Sequence, residues 1–147
     1  MVVMISGIIL LAVLPAMARF RTSLRREQAA QQLMRDIRTA RQRAVTGRSP
    51  VIVAFGNGST TTNLTTYTIH TDTNGDRVWQ SGEMKVSRTL PTGTKLEKVS
   101  LAPTDSLTFD ISGILWPGTG GGYVAILSGT NIRDTLDVSA TGMAYKR

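Results

Sequence analysis

The chain has 147 residues, no cysteine, one histidine and a formal net charge of +7. Without cysteine there is no disulfide framework, no Cys-based metal site and no thiol nucleophile. A lone imidazole gives no support to a zinc site or a hydrolytic triad. The charge is unevenly placed. Nine arginines between Arg19 and Arg48 stand against Glu27 and Asp36, while the rest of the chain balances eight basic residues with eight acidic ones. The whole surplus therefore sits on one segment, which could meet anionic head groups, nucleic acid or acids on neighbouring subunits, or could simply be a solvated helix face.

Met1–Ala18 (MVVMISGIILLAVLPAMA) carries no charge. At about 1.5 Å per residue it spans roughly 27 Å, slightly less than a hydrocarbon core of about 30 Å. It reads as a membrane anchor. A cleaved signal peptide would use Ala16-Met17-Ala18 as its cleavage site but has no basic residues before Val2, and a core helix would need an amphipathic period that is absent. From Arg19 the apolar residues Leu24, Ala29, Leu33, Ile37, Ala40 and Ala44, with Met34 and Val45 beside them, follow mostly three-and-four spacing. This predicts an amphipathic helix over 19–48, with arginines on its other faces and a stop at Gly47 and Pro50. A single rod from near Met1 to about Thr46 would be roughly 70 Å long, kinked at Pro15.

After Pro50 the composition shifts to Thr, Gly, Val and Ser and the period falls to two. Strands are predicted at Val51–Phe55, Thr65–His70, Glu83–Leu90, Lys95–Ser100, Ser106–Asp110, Gly122–Leu127, Thr135–Ser139 and Met143–Lys146. Gly56–Asn63 and Pro117–Gly122 read as flexible surface loops. The fold class is α+β: a long N-terminal helix, with a membrane-spanning half (1–18) and an amphipathic basic half (19–48), packed on a small antiparallel β-domain (49–147).

These residues carry a resemblance. Gly7 eight positions before Pro15, a helix ending in TARQRAVTGRSPVIV (Thr39–Val53) and a small β-domain resemble the type IV pilin superfamily, and more narrowly the GspH/FimT-type minor pseudopilins. The segment Arg41–Val51 is similar to that family's helix exit. Phe109–Gly113 matches a Phe-x-x-x-Gly element, and Ser139–Gly142 a closing Ser-x-x-Gly turn. The resemblance implies a pilin-like fold and a subunit of a type II secretion or type IV pilus filament. It would be held in the inner membrane by a single pass, with its β-domain in the periplasm or outside, and would partner other pseudopilins or pilins through helix packing. The mature family chain begins with an N-methylated phenylalanine, has glutamate at its fifth position and follows a basic leader ending in glycine. Aligning on Gly7 and Pro15 places Met1 about seven residues inside that helix. The positive-inside rule, applied to the nine arginines, would instead put the stem in the cytoplasm.

Two candidate sites follow. Asp72, Asn74, Asp76 and Glu83 occupy positions one, three, five and twelve of DTNGDRVWQSGE, the oxygen-ligand spacing of a calcium loop, but Arg77 holds the sixth position where glycine normally permits the turn. A polar hairpin turning at Asn74-Gly75 is the competing reading. The second site is implied by the resemblance: some FimT-like pilins capture DNA with a C-terminal Gly-Arg-x-Arg motif. Here Gly142–Arg147 offers Lys146 and Arg147, with Met143 at the first arginine's position. His70 reads as a surface-strand residue, Trp79 and Trp116 as cover for the core. Gly118–Gly122 lacks a phosphate loop's lysine. No pair of carboxylates is placed for acid/base work, so an enzyme is not expected.

Overall fold

The computed structural model describes residues 2–56, 62–101, 105–116, 121–129 and 132–147, with the side chains of 2–19 and 132 outside that description. Helix α1 runs unbroken from Val2–Gly47, about 69 Å at about 1.5 Å per residue. The kink expected at Pro15 falls among the residues without described side chains.

The buried stripe of α1 is Ala29, Ala30, Leu33, Ile37, Ala40 and Ala44, none more than 1% exposed. Four of these are alanines, so the helix backbone lies close to the sheets. Leu24 and Val45 do not join the stripe and are 45% and 48% exposed. Residues in an α-helix advance by about 100° each, which turns both away from the Leu33–Ala40 line. The helix stops at the residue the Gly47 and Pro50 pair predicts. Gly47 is its last residue, and Arg48 takes the left-handed conformation at φ 49° that glycine more often supplies.

Nine strands follow: β1 (Val51–Phe55), β2 (Thr62–Leu64), β3 (Thr66–Thr71), β4 (Lys85–Thr89), β5 (Thr94–Leu101), β6 (Ser106–Phe109), β7 (Gly122–Ser128), β8 (Ile132–Val138) and β9 (Ala144–Lys146). Each predicted strand is present within a few residues. β2 is an addition and overlaps the end of the segment read as a loop; residues 57–61 of that loop and 117–120 lie outside the described residues. The strands form two antiparallel sheets, ordered β4-β3-β1-β6 and β2-β5-β7-β8-β9. One hydrophobic cluster joins the helix stripe to both sheets, with Phe55, Tyr67, Leu107 and Phe109 from the first and Leu96, Val124, Ile126 and Leu136 from the second. In β5 the inward positions Leu96 and Val99 are three apart because a register shift between Leu96 and Lys98 breaks the period.

Register sets which loops meet. Val51 of β1 pairs with Thr71 and Phe109, and His70 pairs with Lys85. The loops 72–84 and 110–116 therefore emerge from the same end of the first sheet, near the C-terminal end of α1. The Arg77 guanidinium lies 4.1 Å above the Trp116 ring and ties the two together. The closing turn packs at that end too. Gly142 has φ 79°, and a Cβ there would come within 2.6 Å of the Phe109 ring, so both backbone conformation and space require glycine.

Candidate functional site: the helix face, its ion clasp and the acidic loop

Three polar arrangements surround the helix–sheet core. The first clasps the chain's C-terminus to α1. Arg26 Nε lies 2.9 Å from Asp134 Oδ2 on β8; Lys146 Nζ on β9 lies 3.0 Å from the same oxygen and also donates to Glu27. The Lys146 hydrogen bond holds the Glu27 carboxyl below its usual range, and Glu27 in turn raises the lysine. Lys146, a candidate DNA contact, is thus seated between two carboxylates. Arg147 donates its backbone N–H to Thr135 at the end of the β8–β9 pairing.

The second arrangement fixes the helix to the first sheet. Asp36, 7% exposed, accepts a 2.6 Å hydrogen bond from the Tyr67 hydroxyl and lies 3.3 Å from Arg88 Nε, while Gln32 donates to the Thr89 carbonyl. Burial, reinforced by the bond to Asp36, pushes the Tyr67 phenol well above its usual range. Sequence reading passed over this cluster. Its signal was Asp36 itself, an acid three residues after Leu33 and four before Ala40, on the apolar stripe of an arginine-rich helix.

The third is the 72–83 loop. Asp72 is fully buried, its Oδ1 accepting from Gly75 N–H at 2.7 Å and its Oδ2 from Arg77 N–H at 2.9 Å. Asn74 Oδ1 accepts from Asp76 N–H, and Asp76 accepts from Val78 N–H and the Gln80 amide. Glu83 accepts from Thr73 N–H, Thr73 hydroxyl and Gln80 N–H, backbone donors that lower its pKa, Thr73 foremost. The structure thus gathers Asp72, Asn74, Asp76 and Glu83 into one loop, and their oxygens are turned on the loop's own N–H groups. Arg77 at the sixth position adopts φ 64°, the conformation expected of glycine there. Among the described residues no group of three or more His, Asp or Glu side chains is arranged to hold a metal ion.

Two expectations are corrected. His70 is not a surface residue but only 6% exposed, and neither ring nitrogen has a hydrogen-bond partner among the described residues. Tyr67 and Ile69 point into the main core, so strand alternation puts His70 on the other face of its sheet. Burial there lowers its pKa, against opposing pulls from Glu83 and Asp72. Trp79 and Trp116 remain 42% and 39% exposed, under Lys85 and Arg77 respectively, rather than covering the core.

A long N-terminal helix laid by a small-residue stripe across antiparallel sheets defines the pilin-like class. The chain resembles the type IV minor pilin FimU of Pseudomonas aeruginosa (19% identity, covering 82% of this chain and 91% of that one, TM-score 0.56). It also resembles the minor pseudopilin EpsH of the type II secretion system of Vibrio cholerae (18% identity, 82% and 96% covered, TM-score 0.53). No curated protein sequence matches it. The profile of the type II transport protein GspH family matches residues 29–142, and the chain belongs to that family.

Proposed function

We propose that this protein is a structural minor pseudopilin, a non-catalytic subunit of a type II secretion or type IV pilus filament, held by its N-terminal helix in the inner membrane before assembly and in the filament core afterwards. The observation that carries this reading is the fixed union of helix and domain. The buried stripe, the Asp36–Tyr67 bond and the Lys146 clasp bind residues 26–44 of α1 to both sheets, so a force on the helix is transmitted to the whole domain. Among the described residues no helix is long and apolar enough to cross a membrane; the anchor rests on the uncharged sequence of Met1–Ala18.

The test is fractionation of the full chain expressed beside a pilin-like assembly system. The protein should resist carbonate extraction from membranes and appear in sheared filaments, and deletion of 1–18 should abolish both. A chain that stays in the soluble fraction and never enters filaments would sink the proposal.

A further inference from the structure

The clasp uses Arg26 and Lys146, yet most of the helix's charge is left over. Arg21, Arg25, Arg35, Arg38, Arg41 and Arg48 are exposed, and among the described residues the ion-paired cations are Arg26, Arg88, Arg133 and Lys146, none of these six. The charge is densest where Arg35, Arg38 and Arg41 follow at three-residue intervals. Like charges at that spacing repel by a few tenths of a kcal/mol per pair, so the free protein holds an uncompensated band. A shallow hollow of about 250 Å³ lies within it, lined by Gln31, Met34, Arg35 and Arg38.

We propose that the outward half of α1 around Arg35, Arg38 and Arg41 docks a carboxylate-bearing face of a neighbouring, chemically different filament subunit, with the hollow receiving one acidic side chain. The inference rests on the filament reading and specifies the partner. The band continues the helix whose apolar half inserts into the shared core, so assembly brings other subunits alongside it. Its mixture of guanidinium groups with Met34 and exposed Val45 suits a protein interface, in which Arg and Met are enriched. Other occupants fit less well. Arg35 lies about 25 Å along the helix from Ala18, several Debye lengths from the head groups of a membrane ending there. A second copy of this chain is a poor source of carboxylates: of its ten, Glu27, Asp36, Glu97 and Asp134 are held in ion pairs, Asp72, Asp76 and Glu83 in their loop and Asp110 by the Ser112 and Ile114 N–H groups, which leaves Asp105 and Asp137. Like bands would also repel.

The test uses the full-length chain in cells that assemble the filament, with a photocrosslinking residue replacing Gln42 on the exposed face and, separately, Leu11 in the apolar segment. The position-42 probe should form a product with another pilin-like subunit. Arg35→Glu with Arg38→Glu should cut its yield about tenfold, and Asp or Glu→Arg at the mapped partner site should restore it. The double variant should keep its melting temperature and its position-11 product; Arg38→Gln alone should give an intermediate yield. A position-11 product without one at position 42 overturns the docking surface and leaves the filament reading standing. A position-42 product that is only a homodimer, a lipid adduct or nuclease-sensitive, or one indifferent to charge reversal, also overturns it. Loss of both products removes the filament reading and this proposal together.

Discussion

Lys146, on the last strand, donates to Glu27 of the helix across 119 positions of sequence and shares Asp134 with Arg26. The C-terminus is thereby a fastener for α1. The Glu27 contribution is present above the carboxyl's ordinary 4.5 and is lost as pH falls through its depressed folded value. The Lys146 contribution is present below its ordinary 10.5 and is lost as pH rises through its raised folded value. Lys146→Ala should therefore lower stability at neutral pH by at most about 1 kcal/mol, since the pair is partly solvent-screened, and the difference from wild type should narrow at both extremes. Denaturant titrations across pH check this. The same variant with Arg147→Ala should leave retention on duplex DNA unchanged at physiological salt; a loss of binding with a flatter salt slope would revive the C-terminal DNA reading.

Truncation has a sharp limit. The Thr22 carbonyl accepts from the Ser128 hydroxyl at 3.1 Å, so the domain begins to hold the helix there. Deleting 1–21 should leave a folded, soluble β-domain. Deleting 1–28 removes Arg26 and Glu27 and should lower the melting temperature by roughly 5 °C or more. Circular dichroism melts of the two truncations compare them directly.

At the centre of the helix, Asp36→Ala would leave Arg88 and the Tyr67 hydroxyl without their shared carboxylate, at a cost of about 2 kcal/mol, since the Arg88 side chain is 42% exposed and can turn to water. Tyr67→Phe should cost about 1 kcal/mol. In the native protein phenolate absorbance should show one tyrosine that ionises only as the fold is lost, and Tyr67→Phe should remove that component.

The acidic loop is predicted to be held by its own N–H groups, so millimolar calcium should not move the melting temperature, whereas Asp72→Ala should cost about 2 kcal/mol by freeing the Gly75 and Arg77 N–H groups. A calcium-dependent rise that Asp72→Ala or Glu83→Ala abolishes would establish the metal site. Arg77→Gly offers an internal check, since it relieves a left-handed backbone strain but gives up the Trp116 stacking.

His70 supplies an acid sensitivity of its own. Its folded pKa is depressed by burial, so the unfolded chain binds the proton first, and stability falls as pH drops below the ordinary 6.5 toward the folded value. His70→Leu should flatten stability over that interval, measured by urea midpoints from pH 7 to 5. An unchanged slope would place the titrating group elsewhere.

Much of this molecule was legible in the chain because periodicity is a local property. The three-and-four spacing of Leu33, Ile37, Ala40 and Ala44 and the alternation of Val51, Val53 and Phe55 reveal a helix and a strand without knowledge of their partners, and Phe109–Gly113 and Ser139–Gly142 mark turns whose glycines the packing requires. What depends on residues far apart in sequence was decided only by the tertiary structure. Leu24 and Val45 look like core by composition but are turned outward by helix phase. His70 looks like surface but is enclosed by its register against Ile52 and Lys85. Lys146 reads as a free cation until β9 pairs with β8 and carries it to Asp134 and Glu27. Net charge was fixed by composition alone; which arginines remained unpaired was fixed by where the fold put ten carboxylates.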